Sequence, residues 1–536
     1  MPLGSDPLSP PRPAGTIEHR VAATAVALVL GIGTLAATLA VVASPLFDLD
    51  RFTVPKETAL LGSALLAGLL ILARVTTLRL GVVDLGLAAV VATSALSALL
   101  AANGWNSARS FGVIAGGATV FWASRFVAGQ IGRRFLLGLV VLAIVAAAST
   151  GLAQAYGWSS PLWAGTRAPG GTLGNRNFLA HLAVIGVPLA GWLLVRARSW
   201  LGSGVAVLGL AALPAVIVLS RSRAAWVGLA AVVLAAGLTR LVAGRAGAAP
   251  LGGRLRLGLF AIGIGVVAAL LLPNRLDWRS DSPYRDSLRG VLNYRDGSGR
   301  GRLIQYQNSL NLVRTDPLLG VGPGNWMVAY PLVTTAGDPS FAGNDPIPTN
   351  PWPSSDWIAL LTERGTLGAL TWLGFLGALM TVLLRRVRDP DQTAASVAAV
   401  GVVAAAASQG AFDAVLLLAA PTLVTMIGLG ALTPVTREVT AIPLAGRRGR
   451  ILAGFALVLG ALTAKSVGQL AAIEAAGTGY PVSQMREALR YDPGNYRLHL
   501  FVAGRTGCDV ALPHARRAAA LLPNHSRPKQ LLARCR

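Results

Sequence analysis

Apolar runs of about 20 residues recur along this chain and limit its fold more than any other feature. A helix of about 20 residues crosses roughly 30 Å of hydrocarbon. Hydrophobic residues make up 53% of the chain and charged residues 13%, with a mean hydropathy of +0.58. Soluble domains do not have this composition. The sequence therefore predicts an all-α polytopic membrane protein with about 12–13 transmembrane helices.

The apolar runs also divide the chain into segments. We place spans near residues 21–43, 57–74, 81–101, 111–128, 135–155, 178–195, 203–220, 224–243, 257–273, 357–384, 394–412, 414–434 and 451–472. The predicted organisation is a disordered cytoplasmic tail (1–20), transmembrane helices (21–273 and 357–472), one large loop (274–356) and a helical tail (473–536). The proline-rich N-terminal stretch lacks the apolar core of a secretory signal, so we expect the first span to be retained.

Arginine placement predicts the orientation of these spans. Cytoplasmic loops of membrane proteins carry an excess of Lys and Arg. A cytoplasmic N-terminus puts most of the arginine clusters inside, among them Arg133, Arg134, Arg196, Arg198, Arg385, Arg386 and Arg388. The large loop and the C-terminal tail would then be periplasmic, in a bacterial inner membrane.

The net charge of +24 leaves several partners to consider. The basic residues lie in loops between spans and form no tract with interleaved aromatic residues, so nucleic acid is not predicted as a partner. Anionic membrane lipids and an anionic substrate both remain open.

The large loop contains two kinds of sequence. Its first half, NRLDWRSDSPYRDSLRG, is predicted to be flexible. Its second half predicts an amphipathic helix that ends at Asp316-Pro317, because four apolar residues recur at helical spacing: Leu303, Tyr306, Leu310 and Val313. The following GVGPGNW turn, residues 320–326, favours a helix-entry turn, with an anion-binding backbone nest as the alternative.

The C-terminal tail repeats a short pattern, MREALRYDPGN and later ARRAAALLPNH. Each copy predicts an alanine-rich helix ended by proline, as in one tetratricopeptide-type hairpin. We interpret the tail as a capping or docking module. Cys508 and Cys535 would meet an oxidising compartment there, where they either form a disulfide or remain free.

Four arginines are candidates for binding an anion at the outer face. Arg221 and Arg223 lie in the tight LSRSRAAW hairpin between two spans, Arg176 lies at the head of a span in GTLGNRNFLAHL, and Arg302 opens the loop helix. The planar guanidinium group matches phosphate oxygens in pairs, so converging arginines predict a clamp for a lipid diphosphate. Snorkelling to lipid headgroups is the alternative for Arg223.

The general base is the least determined part of the predicted site. His181, alone among the histidines, lies within a span, and Asp356 and Glu363 flank the point where the loop re-enters the membrane. All three are candidates. The scattered acids of the loop form no metal-ligand spacing, so we predict neither a metal nor a cofactor.

Four segments together resemble the bacterial O-antigen ligase and O-antigen polymerase superfamily, which includes protein O-oligosaccharyltransferases. They are GTLGNRNFLA (171–180), LSRSRAAW (219–226), GR (301–302) with DPLLGVGPGNW (316–326), and SSDWIALLTERGTLG (354–368). The resemblance implies an inverting glycosyltransferase that needs no metal. It would move a glycan from undecaprenyl diphosphate to a hydroxyl of a lipid-linked glycan, of lipid A core or of a protein. Arg221, Arg223 and Arg302 match the arginines of the family.

One departure from the family bears on the base. Ligases carry a histidine where this chain has Ser354, Ser355 and Asp356. Either Asp356 or His181 would replace it, or the reaction would need less help from a base, as in the many polymerases of the superfamily that lack this histidine. The difference favours a polymerase over a ligase. Two other functions remain open: a transporter or flippase of the same lipid-linked glycan, and a non-catalytic glycan-binding membrane protein.

Overall fold

The chain folds almost entirely into helices, as its apolar runs require. The computed structural model describes residues 17–44, 47–244, 252–278, 280–291, 297–335, 337–341, 347–434, 438–477 and 479–535. Of the predicted N-terminal tail, residues 1–16 lie outside the described residues.

The first half of the bundle contains nine helices: α1 (Ile17–Leu39), α2 (Asp50–Leu72), α3 (Val82–Leu99), α4 (Gly104–Gln130), α5 (Arg134–Ala155), α6 (Arg176–Arg196), α7 (Trp200–Ser220), α8 (Arg223–Ala243) and α9 (Gly253–Leu271). The large loop contributes α10 (Pro283–Gly290), α11 (Gly297–Thr315) and α12 (Trp326–Ala329). The bundle is completed by α13 (Asp356–Arg386), α14 (Pro390–Gly410), α15 (Ala419–Leu432) and α16 (Arg448–Ala475). The tail forms α17 (Val482–Tyr491), α18 (Tyr496–Arg505), α19 (Cys508–Leu521) and α20 (Ser526–Arg534).

Twelve helices in the described part of the chain are long and apolar enough to cross a membrane, which confirms an all-α polytopic membrane protein. The predicted span at 414–434 corresponds to α15, which has 14 residues, all of them buried. At 1.5 Å per residue this helix is only about 21 Å long.

Short strands tie together two loops that were both predicted to be cytoplasmic. Strand β1 (Thr77–Leu80) pairs antiparallel with β2 (Thr440–Pro443). Other loops of the same set also meet, since Arg196 donates to the carbonyl of Asp391 at 3.0 Å and Arg254 donates to that of Ala197 at 2.7 Å. The arginine-rich loops therefore share one end of the bundle.

The loop helices and the tail lie together at the opposite end. Trp326 and Tyr330, stacked with ring centroids 4.2 Å apart, pack with Leu312, Tyr496 and Leu521 in one apolar cluster. Cys508 and Cys535 form a disulfide. The C-terminal tail is thus packed onto the large loop.

Helix α6 occupies the centre of the bundle. Of its most apolar 18-residue window, 78% is buried, the highest share among the twelve candidate spans in the described residues. Its N-terminus points to the end that carries the loop and the tail. Side chains on the first turns of α6 are therefore surrounded by several other segments.

Candidate active site

The GTLGNRN segment sets the start of α6. Gly171–Leu173 form one 3-10 turn, and Gly174 then adopts a left-handed conformation with φ of 72°. A Cβ atom at Gly174 would lie 2.4 Å from the Phe52 ring, so only glycine fits. Asn175 caps the helix by accepting the main-chain N–H of Asn177 at 3.0 Å.

Buried polar side chains hold this turn in place. Lys56, 4% exposed, donates to the carbonyl of Thr172 at 2.9 Å and to that of Ala40 at 2.7 Å. The Gln154 side-chain oxygen accepts the main-chain N–H groups of Gly170 and Gly171, both at 2.9 Å. The first residues of α6 are therefore fixed from two sides.

The two arginines of the LSRSRAAW hairpin are held by α10. Arg221 Nε donates to Ser287 Oγ at 2.9 Å, and its guanidinium carbon lies 4.5 Å from the Trp278 ring centre. Arg223 donates to the carbonyl of Gly290. The prediction of a flexible first half of the loop was wrong for residues 283–290, because these contacts order them as a helix.

Arg221 also lies near Arg176. Burial, and after it the positive charge of Arg176, lower the pKa of the Arg221 guanidinium from its ordinary value. The opposing influences of Asp286 and Tyr284 are weaker. An anion placed between Arg176 and Arg221 would relieve this repulsion.

Asp413 is the carboxylate on which several segments converge. Its Oδ2 accepts from the Asn177 side chain at 3.1 Å and lies 3.8 Å from Arg302 Nη2 and 4.0 Å from His181 Nε2. Its Oδ1 accepts the N–H of Ala414 at 2.9 Å. Asp413 is 13% exposed and was not among the residues selected from the sequence.

His181 lies beside Asp413 but is completely buried. Its side chain is 0% exposed, and among the described residues neither ring nitrogen has a hydrogen-bond partner. The structure therefore brings together two of the predicted residues, His181 and Arg302, through Asp413.

Asp356 contacts the connection between α14 and α15, which also contains Asp413. Its two carboxylate oxygens accept the N–H groups of Val415 at 2.9 Å and Leu416 at 2.8 Å. Both oxygens are thus engaged in holding the 413–416 segment. This geometry favours a positioning role for Asp356 over that of a base.

Glu363 is packed against the GVGPGNW turn. It is 2% exposed, and its side chain accepts the N–H of Trp326 at 3.3 Å. Its main-chain carbonyl accepts the N–H of Gly322 at 2.9 Å and the hydroxyl of Ser97 at 2.9 Å. The N–H of Val321 donates to the carbonyl of Thr362 at 3.0 Å. These bonds join the turn to α13, and the short helix α12 begins directly after it, at Trp326.

The assembled site is basic on one side and carries a carboxylate on the other. Within the described residues, no group of three or more His, Cys, Asp or Glu side chains is arranged to hold a metal ion. The arrangement provides donors for an anion and, in Asp413, one acceptor for a proton.

Comparison with known proteins supports the resemblance seen in the sequence. Residues 205–373 match the sequence model of a family described as O-antigen ligase. The matched segment includes the arginine hairpin, α10, Arg302 and the start of α13, but not the GTLGNRN turn. The chain gives no significant match to any curated protein. The match covers residues 205–373 of this membrane protein and, for that segment, confirms the predicted resemblance to the O-antigen ligase and polymerase superfamily.

Proposed function

We propose that this protein is an inner-membrane glycosyltransferase that moves a glycan from undecaprenyl diphosphate to an acceptor hydroxyl at the periplasmic face. The convergence of Asn177, Arg302 and Asp413 at the head of α6 is the observation that carries the proposal. Its product would be O-antigen or exopolysaccharide, made by polymerisation or ligation. Ser354, in place of the ligase histidine, favours polymerisation.

The arginines form the diphosphate-binding part of this site. Arg176 and Arg221 repel one another, and a bound anion would reduce that repulsion. Arg302 lies 3.8 Å from Asp413, too far for a hydrogen bond, so it can also donate to an anion. Arg223 contributes from the same hairpin. As the glycosidic bond breaks, negative charge grows on the departing diphosphate, and fixed guanidinium groups stabilise that charge without a metal ion.

Asp413 is our choice of general base. Asp356 accepts a main-chain N–H on each of its two oxygens, and the Glu363 side chain accepts that of Trp326. Among the described residues, Asp413 accepts a main-chain N–H only on Oδ1, from Ala414. Its Oδ2 faces side chains, with Asn177 donating at 3.1 Å and Arg302 and His181 at 3.8 and 4.0 Å. When the diphosphate draws Arg302 away, the carboxylate loses a stabilising positive charge and becomes a stronger base. His181 lies beside Asp413 at 4.0 Å and makes no hydrogen bond to it.

The reaction is a single displacement. The acceptor oxygen attacks the anomeric carbon and forms the new glycosidic bond, while the bond from that carbon to the diphosphate oxygen breaks. The diphosphate leaves with the electron pair, and the acceptor proton passes to Asp413. A single displacement inverts the configuration at the anomeric carbon.

The proposed topology places the N-terminus in the cytoplasm and both the large loop and the C-terminal tail in the periplasm. It follows from the positive-inside rule and is supported by the arginine-rich loops sharing one end of the bundle.

Deletion of the gene in its host, followed by gel analysis of the surface glycan, tests the proposal. Lipid capped with a single repeat would indicate a polymerase, and lipid A core without any chain would indicate a ligase. An unchanged glycan profile and amount would contradict both. Restoration by wild-type protein but not by Asp413→Asn would connect the phenotype to the site.

A further inference from the structure

An apolar cavity lies inside the bundle between α3, α13, α14 and α15. It encloses roughly 1020 Å³ of empty space, part of it open to the exterior. Helix α13 lines it with Leu360, Arg364, Gly368, Trp372 and Leu376, which recur at every fourth position and so share one helix face. The hydroxyl-bearing residues on its wall are Ser94, Thr422 and Thr425. Its mostly apolar lining suits a hydrocarbon chain.

A second, polar cavity adjoins the first. It lies between the bundle and the C-terminal tail and has roughly 1040 Å³ of empty space. Its lining combines the indoles of Trp105 and Trp352 and the amides of Asn106, Gln469 and Asn495 with the ion-paired side chains of Asp50, Glu57, Arg109 and Arg497. Aromatic faces beside amide donors and acceptors suit a ligand rich in hydroxyl groups.

Arg364 lies where the two cavities meet, since it lines both of them. Its Nε is buried and has no hydrogen-bond partner in the described part of the chain. Gly368 leaves room for this side chain, because a Cβ atom there would lie 2.4 Å from the Cβ of Arg364.

The neighbouring carboxylates do not hydrogen-bond to Arg364. Glu363 and Asp356 attract it electrostatically, but their side chains accept the main-chain N–H groups of Trp326, Val415 and Leu416. A buried charge is costly unless it is paired and hydrogen-bonded. An anionic group at the junction of the cavities would complete the hydrogen bonding of Arg364.

We propose that Arg364 and these two cavities bind the acceptor, and that the acceptor is an anionic lipid carrying sugars. Its chain fills the apolar cavity, its phosphate meets Arg364, and its sugars extend beneath the tail. The proposal rests on the glycosyltransferase function and deepens it, because it selects a lipid-anchored acceptor over a protein.

The position of Leu416 connects this site with the donor site. Leu416 lines both cavities and is three residues from Asp413, a stretch of chain that spans at most about 11 Å. The segment 413–416 thus separates two substrates, with Asp413 facing the arginine clamp.

The number of lipids bound by the purified full chain tests this proposal. Native mass spectrometry would follow titration with a polyprenyl diphosphate, which fits both sites. We expect two molecules on the wild-type protein and on the control Arg314→Gln, an exposed arginine of α11. We expect one bound lipid molecule on Arg364→Gln and two on Arg364→Lys. We expect one bound lipid molecule on the triple variant Arg221→Ala/Arg223→Ala/Arg302→Ala. Ala407→Leu, which narrows the apolar cavity without removing a charge, should also weaken the second binding step.

The outcomes separate this proposal from the function on which it rests. If the wild type binds one lipid and only the triple variant loses it, the second site does not exist. The donor clamp formed by Arg221, Arg223 and Arg302 would then still be supported. One lipid lost only in Arg364→Gln would instead overturn the donor clamp. Equal binding of the polyprenol, which lacks the diphosphate, at the second site would show that Arg364 does not select an anion. That result would contradict the proposal.

Discussion

Two arginines at the same end of the bundle differ in how closely they are paired with carboxylates. Arg109 donates to both oxygens of Glu57 at 2.7 and 2.9 Å and to Asp50 at 2.8 Å. Arg302 approaches Asp413 only to 3.8 Å. Close bidentate pairing fixes structure, whereas a loose ion pair leaves both partners available to a ligand.

The tightly paired arginine belongs to the attachment of the C-terminal tail. Asp50, which binds Arg109, also accepts from Arg497 of the tail at 2.9 Å. The Trp105 indole donates to Asp492 of the tail at 2.6 Å. We therefore assign the Arg109 cluster to stability and the Arg302 cluster to chemistry, and the following predictions test that division.

The largest effect is expected for Arg302→Ala. Transfer should fall by about 10²-fold or more, because one donor to the charge of the transition state is lost. The protein should remain in the membrane with an unchanged melting temperature. Glycan transfer in the complemented deletion strain measures the first effect, and Arg314→Ala on the same helix is the control. Wild-type transfer by Arg302→Ala would remove this residue from the clamp, and the same test applies to Arg223→Ala.

Arg109→Gln should give the opposite result. Two largely buried carboxylates, on Asp50 and Glu57, would lose their shared partner. Removing one partner of a buried ion pair costs about 3–5 kcal/mol of unfolding free energy. Thermal unfolding of the detergent-purified protein measures this loss. A melting temperature equal to that of wild type, together with lost transfer, would reverse our assignment of the two clusters.

A smaller effect is expected from acid on the tail. The Nδ1 atoms of His499 and His514 are 2.9 Å apart, and burial lowers the pKa of both rings, against the opposing hydrogen bond of His499 to the Pro493 carbonyl. Below about pH 6.5 the unfolded tail would bind more protons than the folded tail. The free energy of unfolding should therefore fall as pH drops through this range.

Thermal unfolding of the full chain at two pH values measures this dependence. His514→Asn should flatten the response to pH, since it removes one of the two titrating rings. A melting temperature that is independent of pH in the wild type would show that the pair does not titrate with unfolding.

Local features of the site were predictable from the sequence. The Arg221 hairpin follows from two adjacent apolar spans, and the cap of α6 follows from the glycines and asparagines before it. The α10 helix was not predictable, because its eight residues are ordered by contacts with Arg221 and Arg223.

Asp413 illustrates what a single sequence does not reveal. It is a lone acid between two apolar spans, and its partner Asn177 is 236 residues away in the chain. Only the packing of α6 against the 411–418 connection brings them together. Likewise, Asp356 and Glu363 were reasonable candidates by position, yet the main-chain donors that engage them come from residues whose proximity the sequence does not show.

The role of Asp413 as general base is tested most directly by single-turnover transfer with Asp413→Asn, with donor binding measured on the same preparation. We predict that transfer falls by roughly 10²- to 10⁴-fold, as for loss of a general base, while the lipid diphosphate donor still binds. Asp413→Glu should recover part of the rate. Wild-type transfer by Asp413→Asn would contradict the assignment of Asp413 as the base.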